Sequence, residues 1–214
     1  MKGVFITGTD TGVGKTRLTA LLTRSLRQKH LPAIALKPVA CGDRADATEF
    51  SEAMGGALPL AEINPIHFAS PLAPYTAAVL ENRPFPWDLL LSHWREMSST
   101  RPGPFLVEGV GGWRVPLDSK RTVREWAREL GLPVLVVCRA GLGTLNHTLL
   151  TVDSIRASGL EVPGIVMNFH RAPEDEAVRT NPGILEQLLR LPVAKLDDGA
   201  SRWEIPGWLS GLLA

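Results

Sequence analysis

Cysteine is scarce in this sequence: Cys41 and Cys138 are the two among 214 residues, far apart and outside any C-x-x-C spacing. That excludes a disulfide framework and a cysteine-built metal knuckle, and it fits a reduced, cytoplasmic setting. Excess charge of either sign is also missing. Lys and Arg number 23 against 22 Asp and Glu, a formal net charge of +1, so charge alone implies no nucleic-acid-binding surface. Long hydrophobic runs are absent as well. The opening "MKGVFITGTD" holds an apolar run that stops at glycine and aspartate, too short for a signal peptide or membrane span. The closing "GWLSGLLA" is too short to anchor on a bilayer, so no membrane partner is expected. There is no internal repeat or low-complexity tract, and the 17 prolines are spread out instead of marking a linker. What is present is an ordinary globular composition, 44% hydrophobic and 21% charged, expected to fold as one domain over residues 1–214.

Short β-branched runs alternate with longer helical patterns. "GVFIT" (Gly3–Thr7) reads as a buried strand. The helix after it places Leu18, Leu21, Leu22 and Leu26 on one face. Further strands are expected in "PAIALK", ending at Lys37, "PFLVEG", ending at Glu108, "LPVLVVC", and "VPGIVMN", ending at Asn168. Helices are expected in "FPWDLLLSHWREMSS", "RTVREWAREL", and "TLNHTLLTVDSIRASG", the last closed by Gly159. A fourth, "NPGILEQLLR", is expected with Asn181 as cap and Pro182 in first position. Strands apolar on both faces and alternating with helices predict an α/β fold, a mostly parallel sheet covered by helices on both faces. Ligands of such sheets bind beyond the carboxyl ends of the strands. Strand ends are therefore the candidate functional positions.

The first strand end carries "FITGTDTGVGKTRL", Phe5 to Leu18. It finishes as a phosphate loop should, on Gly14-Lys15-Thr16, but the first glycine of the usual G-x-x-x-x-G-K-[ST] spacing would fall on Thr9 and stands instead at Gly8. The context of strand, glycine-rich turn and helix is that of a phosphate loop, and the displaced glycine argues for a wider one. Backbone N–H groups around Gly12, Val13 and Gly14 and the helix N-terminus would hold phosphates. Lys15 would add charge at the β and γ phosphates, and Thr16 a hydroxyl ligand for Mg²⁺. Mg²⁺ also wants carboxylates. Glu108, closing an apolar strand, is one candidate; Asp43 and Asp46 in "CGDRADA" are both open on spacing alone. Lys37, taken alone, reads as a solvated strand end, and Asn168 as a strand-terminating asparagine.

Five segments together resemble the dethiobiotin synthetase family: "GTDTGVGKT" (Gly8–Thr16), "KPVACG" (Lys37–Gly42), "VEGVGGWRVPL" (Val107–Leu117), "GLGTLNHTLLT" (Gly141–Thr151) and "MN" (Met167–Asn168). They occur in the family's order, and the widened loop is typical of it. The resemblance implies an ATP- and Mg²⁺-dependent enzyme that joins CO₂ or bicarbonate to 7,8-diaminononanoate and closes a ureido ring. It implies Thr16, Asp46 and Glu108 as the Mg²⁺ set, Lys15 and Lys37 as catalytic cations, and Thr11 close to carbamate and phosphate. Asn168 is implied as a reader of the adenine edge. A second anion pocket formed by Gly143, Thr144, Leu145 and Asn146 would take the substrate carboxylate from across a homodimer. The chain departs from the family at Cys41, where a hydroxyl residue is common and a thiol is the weaker donor. The match fades after Asn168, and Pro192 to Lys195 are expected beside adenine. The rival reading is a switch-type ATPase of the partitioning class. Those proteins usually carry an extra lysine early in the loop, and Gly8 to Gly14 contains none.

Overall fold

A computed structural model describes residues 2–214. Six parallel strands form the central sheet in the order β2-β5-β1-β6-β7-β8. These are β1 (Gly3–Gly8), β2 (Ile34–Leu36), β5 (Phe105–Gly112), β6 (Val134–Arg139), β7 (Ile165–Asn168) and β8 (Val193–Leu196). A separate two-stranded parallel pair, β3 (Val39–Cys41) with β4 (Ile66–Phe68), flanks it. Alternation along β1 divides the core, because successive side chains point to opposite faces. Val4 and Ile6 join one apolar cluster, and Phe5 joins the other.

The Val4/Ile6 face is covered by α1 (Lys15–Gln28) and the C-terminal α9 (Gly207–Leu213), which bury Leu18, Leu22, Leu209 and Leu213. The closing "GWLSGLLA" is thus a short helix packed into the core. The Phe5 face is covered by α5 (Trp87–Thr100), α6 (Val123–Leu130), α7 (Thr144–Arg156) and α8 (Glu176–Leu189). Trp126 of α6 meets the Phe5 ring edge-on, centroids 5.0 Å apart, and Trp94 of α5 meets Phe105 in the same way at 5.3 Å. Helices α2 (Ala45–Ala53), α3 (Leu60–Ile63) and α4 (Pro74–Leu80) surround the small sheet beside the cleft. No helix among the described residues is long and apolar enough to cross a membrane.

Two expectations need correction. The last long helix begins earlier than its proline suggested: Asp175 caps it by accepting from the Val178 amide, and Pro182 stands inside α8. Its missing N–H leaves the Val178 carbonyl without a helical donor. Asn181 is therefore no cap. It is buried, and its Nδ2 donates to the Gly141 carbonyl at 3.0 Å. The second correction concerns β5, which does not end at Glu108 but runs on to Gly112 after an irregularity in its pairing with β1, where Ile6 aligns with Glu108 and Gly8 with Gly112. The extra residues are on β5, where Gly109, Val110 and Gly111, the last at φ +61°, face the single residue Thr7 of β1.

Candidate active site

At the end of β1 the chain folds into the wide loop read from the sequence, and α1 starts at Lys15. Gly14 takes φ +102°, and a β-carbon there would lie 2.2 Å from Asn168 Nδ2, so the position admits only glycine. Gly8, the displaced glycine, is equally constrained: a β-carbon would lie 2.7 Å from Val13 Cγ2 and 3.1 Å from Lys15 Nζ. The variant spacing thus serves to seat Lys15, whose ammonium folds back to donate to the Asp10 carbonyl at 3.0 Å. Burial pulls the Lys15 pKa down to about 8; Glu108 pushes it back up, and the neighbouring Lys37 lowers it further.

Register brings the other strand ends alongside. Leu36 of β2 pairs with Val107 of β5, so the next residues, Lys37 and Glu108, stand side by side. Lys37 Nζ lies 2.5 Å from Glu108 Oε1 and 2.6 Å from Asp46 Oδ2. The Thr16 hydroxyl lies 2.9 Å from Asp46 Oδ1 and 3.1 Å from Glu108 Oε1. Glu108 is 0% exposed and Lys37 5%. Burial works against the Lys37 charge, but Glu108 and Asp46 more than offset it, holding its pKa above the ordinary lysine value. For Asp46, burial raises the pKa and Lys37 overcomes this, leaving it below the usual carboxylate range. Asp46 comes from the first turn of α2, whereas Asp43 lies before that helix, spending a side-chain oxygen on the Ala45 amide. The structure therefore selects Asp46 as the partner of Thr16 and Lys37.

These residues floor a cleft of about 860 Å³ that is also lined by Thr11, Gly12, Gly14, Cys41 and Glu49. Cys41 is half-buried, and burial pushes its thiol up to about 11, so it lines the cleft as a neutral group. The Asp46 and Glu108 carboxylates meet at the Lys37 ammonium, and the Thr16 hydroxyl touches both carboxylates, so three hard oxygens lie together. That donor set suits Mg²⁺, which takes few protein ligands and keeps the rest as water or phosphate.

Asn168 and the segment from Gly143 to Asn146 stand outside the lining of the Lys37 cleft. Asn168 is buried beneath the loop, its Nδ2 donating to the Val13 carbonyl at 3.0 Å and its Oδ1 accepting from the His170 amide at 3.1 Å. It braces the loop and retains a second amide hydrogen and lone pair. Gly143 to Asn146 are not part of the Lys37 cleft of the same chain. Gly143 and Thr144 start α7 next to a separate cavity of about 120 Å³, with Asp10, Arg139, Leu142 and His147 on its walls, and Leu142 is 93% exposed. Pro192 precedes β8, at the amino end of the strand, while Lys195 lies near its carboxyl end, paired with Met167 beside Asn168. Just past β8, Arg17 donates to the carbonyls of Asp197 at 2.9 Å and Ala200 at 3.4 Å.

Sequence reasoning missed Asn64 and Arg44. Buried Asn64 donates to the Lys37 carbonyl at 2.8 Å and accepts from Arg44 Nε at 2.9 Å, tying the lysine to the start of α2. Neither sits in a motif, so no signal in the sequence marked them.

The AAA domain family matches residues 2–195. An ATP-dependent dethiobiotin synthetase BioD of Anaeromyxobacter sp. is 45% identical over 92% of this chain and 90% of its own length. The synthetase of Aquifex aeolicus is 44% identical over 86% of this chain and 84% of its own, and that of Akkermansia muciniphila 40% over 90% of each. The chain belongs to the ATP-dependent dethiobiotin synthetase family. Similarity of fold reaches further: the septum site-determining protein MinD of Pyrococcus horikoshii, solved with Mg-ADP, superposes with a TM-score of 0.56 over 92% of this chain and 82% of its own. At 14% identity that likeness shows the shared architecture alone. In this chain the Lys15–Thr16 loop and the Lys37–Asp46–Glu108 cluster stand beyond the carboxyl ends of the strands, where sheets of this kind bind ligands.

Proposed function

We propose that this synthetase binds Mg²⁺–ATP, 7,8-diaminononanoate and CO₂ or bicarbonate, and that residues 1–214 act as one catalytic domain. The carrying observation is the convergence of Lys37, Asp46, Glu108 and Thr16 beside the phosphate loop. In this reading the loop from Gly12 to Thr16 holds the triphosphate through backbone N–H groups, Lys15 neutralises its terminal phosphates, and Thr16, Asp46 and Glu108 hold Mg²⁺. Bound there, Mg²⁺ would withdraw charge from the phosphate oxygens. Lys37 is the cation for the carbamate. Diaminononanoate takes up CO₂ at one amine, the carbamate oxygen attacks the γ-phosphorus, and ADP leaves. The second amine then attacks the carbamic-phosphoric anhydride, the ureido ring closes and phosphate is released. Two anions must approach each other in the phosphoryl step, and buried cations are what make that approach favourable. Thr11 contacts carbamate and phosphate, Cys41 contributes a neutral wall, and Asn168 offers its remaining amide functions to adenine.

Gly143 to Asn146 bind the substrate carboxylate in a homodimer. Their distance from the Lys37 cleft within one chain supports contribution across an interface. A reducing cytoplasm suits a chain whose two cysteines are both free. The test is ATP hydrolysis measured with and without each co-substrate. Dependence on both diaminononanoate and bicarbonate, with dethiobiotin as product, is expected. Hydrolysis driven instead by a protein partner would replace this reading with the switch-type ATPase.

A further inference from the structure

Glu108 is engaged through both carboxylate oxygens, and the two engagements differ. Oε1 faces the cleft, where it meets the Lys37 ammonium at 2.5 Å and the Thr16 hydroxyl at 3.1 Å. Oε2 meets the hydroxyl of Thr19, one turn further along α1, at 3.1 Å. Among the described residues Thr19 is the one side-chain or backbone donor to Oε2. Thr19 is 0% exposed, so no bulk water competes for that contact.

The Thr19 hydroxyl also lies 2.9 Å from the Lys15 carbonyl, and it has a single hydrogen to give. Within α1 that carbonyl has the Thr19 backbone N–H as its helical partner. The carboxylate has no such second donor at Oε2, and a charged acceptor binds the hydrogen more strongly. The hydroxyl therefore serves Glu108. Because both residues are fully buried, the carboxylate cannot turn about its terminal bond without leaving Oε2 unpaired, a penalty larger than the gain from making the bond.

We infer that Thr19 is a positioning residue that sets metal selectivity: by occupying Oε2 it presents Glu108 to a cation through Oε1 alone. The inference rests on the reading of Thr16, Asp46 and Glu108 as the metal set. Mg²⁺ is satisfied by single oxygens in an octahedron, whereas Ca²⁺ gains from six to eight ligands and from carboxylates that offer both oxygens. A carboxylate held to one oxygen discriminates against the larger ion.

The experiment compares the affinities of the Mg²⁺ and Ca²⁺ complexes of a non-hydrolysable ATP analogue by calorimetry, in wild type, Thr19→Val and Thr19→Ser. Wild type favours the Mg²⁺ complex. Thr19→Val narrows the preference by about tenfold, the scale of one hydrogen bond to a charged group. Thr19→Ser, which keeps the hydroxyl, restores it. Should thermal melting show that Thr19→Val does not fold, Thr19→Ala carries the same comparison. A hydroxyl-free variant that folds and keeps the wild-type ratio overturns the inference, since loss of packing alone does not change a ratio between two ions. A wild type that binds the metal-free analogue as tightly as its Mg²⁺ complex overturns the metal reading itself, and the role of Thr19 with it.

Discussion

Lys15 and Lys37 bring the same charge into one cleft under opposite conditions. Lys15 is held by a backbone carbonyl and drawn down to about 8 by burial, so phosphates arriving at the loop meet a cation with no carboxylate in its grip. Lys37 is locked between Asp46 and Glu108, and its charge becomes available only as those carboxylates take another cation. Lys15→Ala is therefore expected to weaken Mg²⁺–ATP binding and abolish turnover. Lys37→Ala keeps more of the binding but loses about two to three orders of magnitude in turnover, the usual cost of removing a group that acts on developing charge. Calorimetry with Mg²⁺–ATP, followed by product formation at saturating diaminononanoate and bicarbonate, separates the two. Near-normal turnover in Lys37→Ala reduces that residue to a structural ion-pair partner. Melting is followed in parallel, because stripping one member from a buried ion pair costs about 3 to 5 kcal/mol.

Two elements carry predictions of their own. Helix α6 opens with a capping box, Thr122 accepting from the Arg124 amide while Glu125 accepts from the Thr122 amide at 2.7 Å. Burial pushes the Glu125 pKa up, but donation from the Thr122 hydroxyl and amide and from Arg124 overcomes it and brings the value to about 2. A carboxyl whose folded pKa lies below its ordinary 4.5 contributes stability that is fully present above 4.5 and lost as pH falls toward 2. Glu125→Ala is thus expected to cost about 0.5 to 2 kcal/mol near neutrality, and the gap to wild type closes as the pH is lowered through that window. Melting temperatures at a series of pH values check it; a gap independent of pH would assign the loss to packing. Helix α8 is tied to the Gly141 loop by Asn181. Asn181→Ala is expected to cost about 1 kcal/mol in stability and to raise KM for diaminononanoate while leaving that for ATP unchanged. Equal shifts in both KM values would place the loop's influence at the nucleotide instead.

At the scale of the whole molecule the proposal is a composite site. One chain holds the phosphate loop and the Lys37 cluster in one cleft and presents Gly143 to Asn146 outside it, beside an exposed Leu142. A homodimer is expected by sedimentation. Mixing inactive Lys37→Ala subunits with subunits inactivated at Asn146 should restore part of the wild-type turnover, because one site of each mixed dimer then has both halves intact. A fully active monomer, or mixing that restores nothing, sinks the shared site and leaves the phosphate loop untouched.

Much of this was legible in the residues themselves. The parallel sheet follows from strands apolar on both faces, and the loop from its glycine-rich pattern before Lys15-Thr16, although the neighbour that excludes a side chain at Gly14 is the distant Asn168. Periodicity cannot rank two aspartates three residues apart; the resemblance implied Asp46, and the structure brings Asp46 to Thr16 and Lys37 through where α2 begins, a matter of how Arg44 and Asn64 fasten that helix to Lys37. The start of α8 was misread because Pro182 signals a helix entry locally, while the buried contact of Asn181 with Gly141 lies 40 residues away in sequence. By itself the sequence determined which chemistry is possible, since strand ends and loop composition set the charges and donors available. The tertiary structure alone decided which oxygen of Glu108 faces the cleft and which faces Thr19. Register between strands 71 residues apart, Lys37 to Glu108, and the packing of α1 against β5 are long-range outcomes that no local pattern encodes.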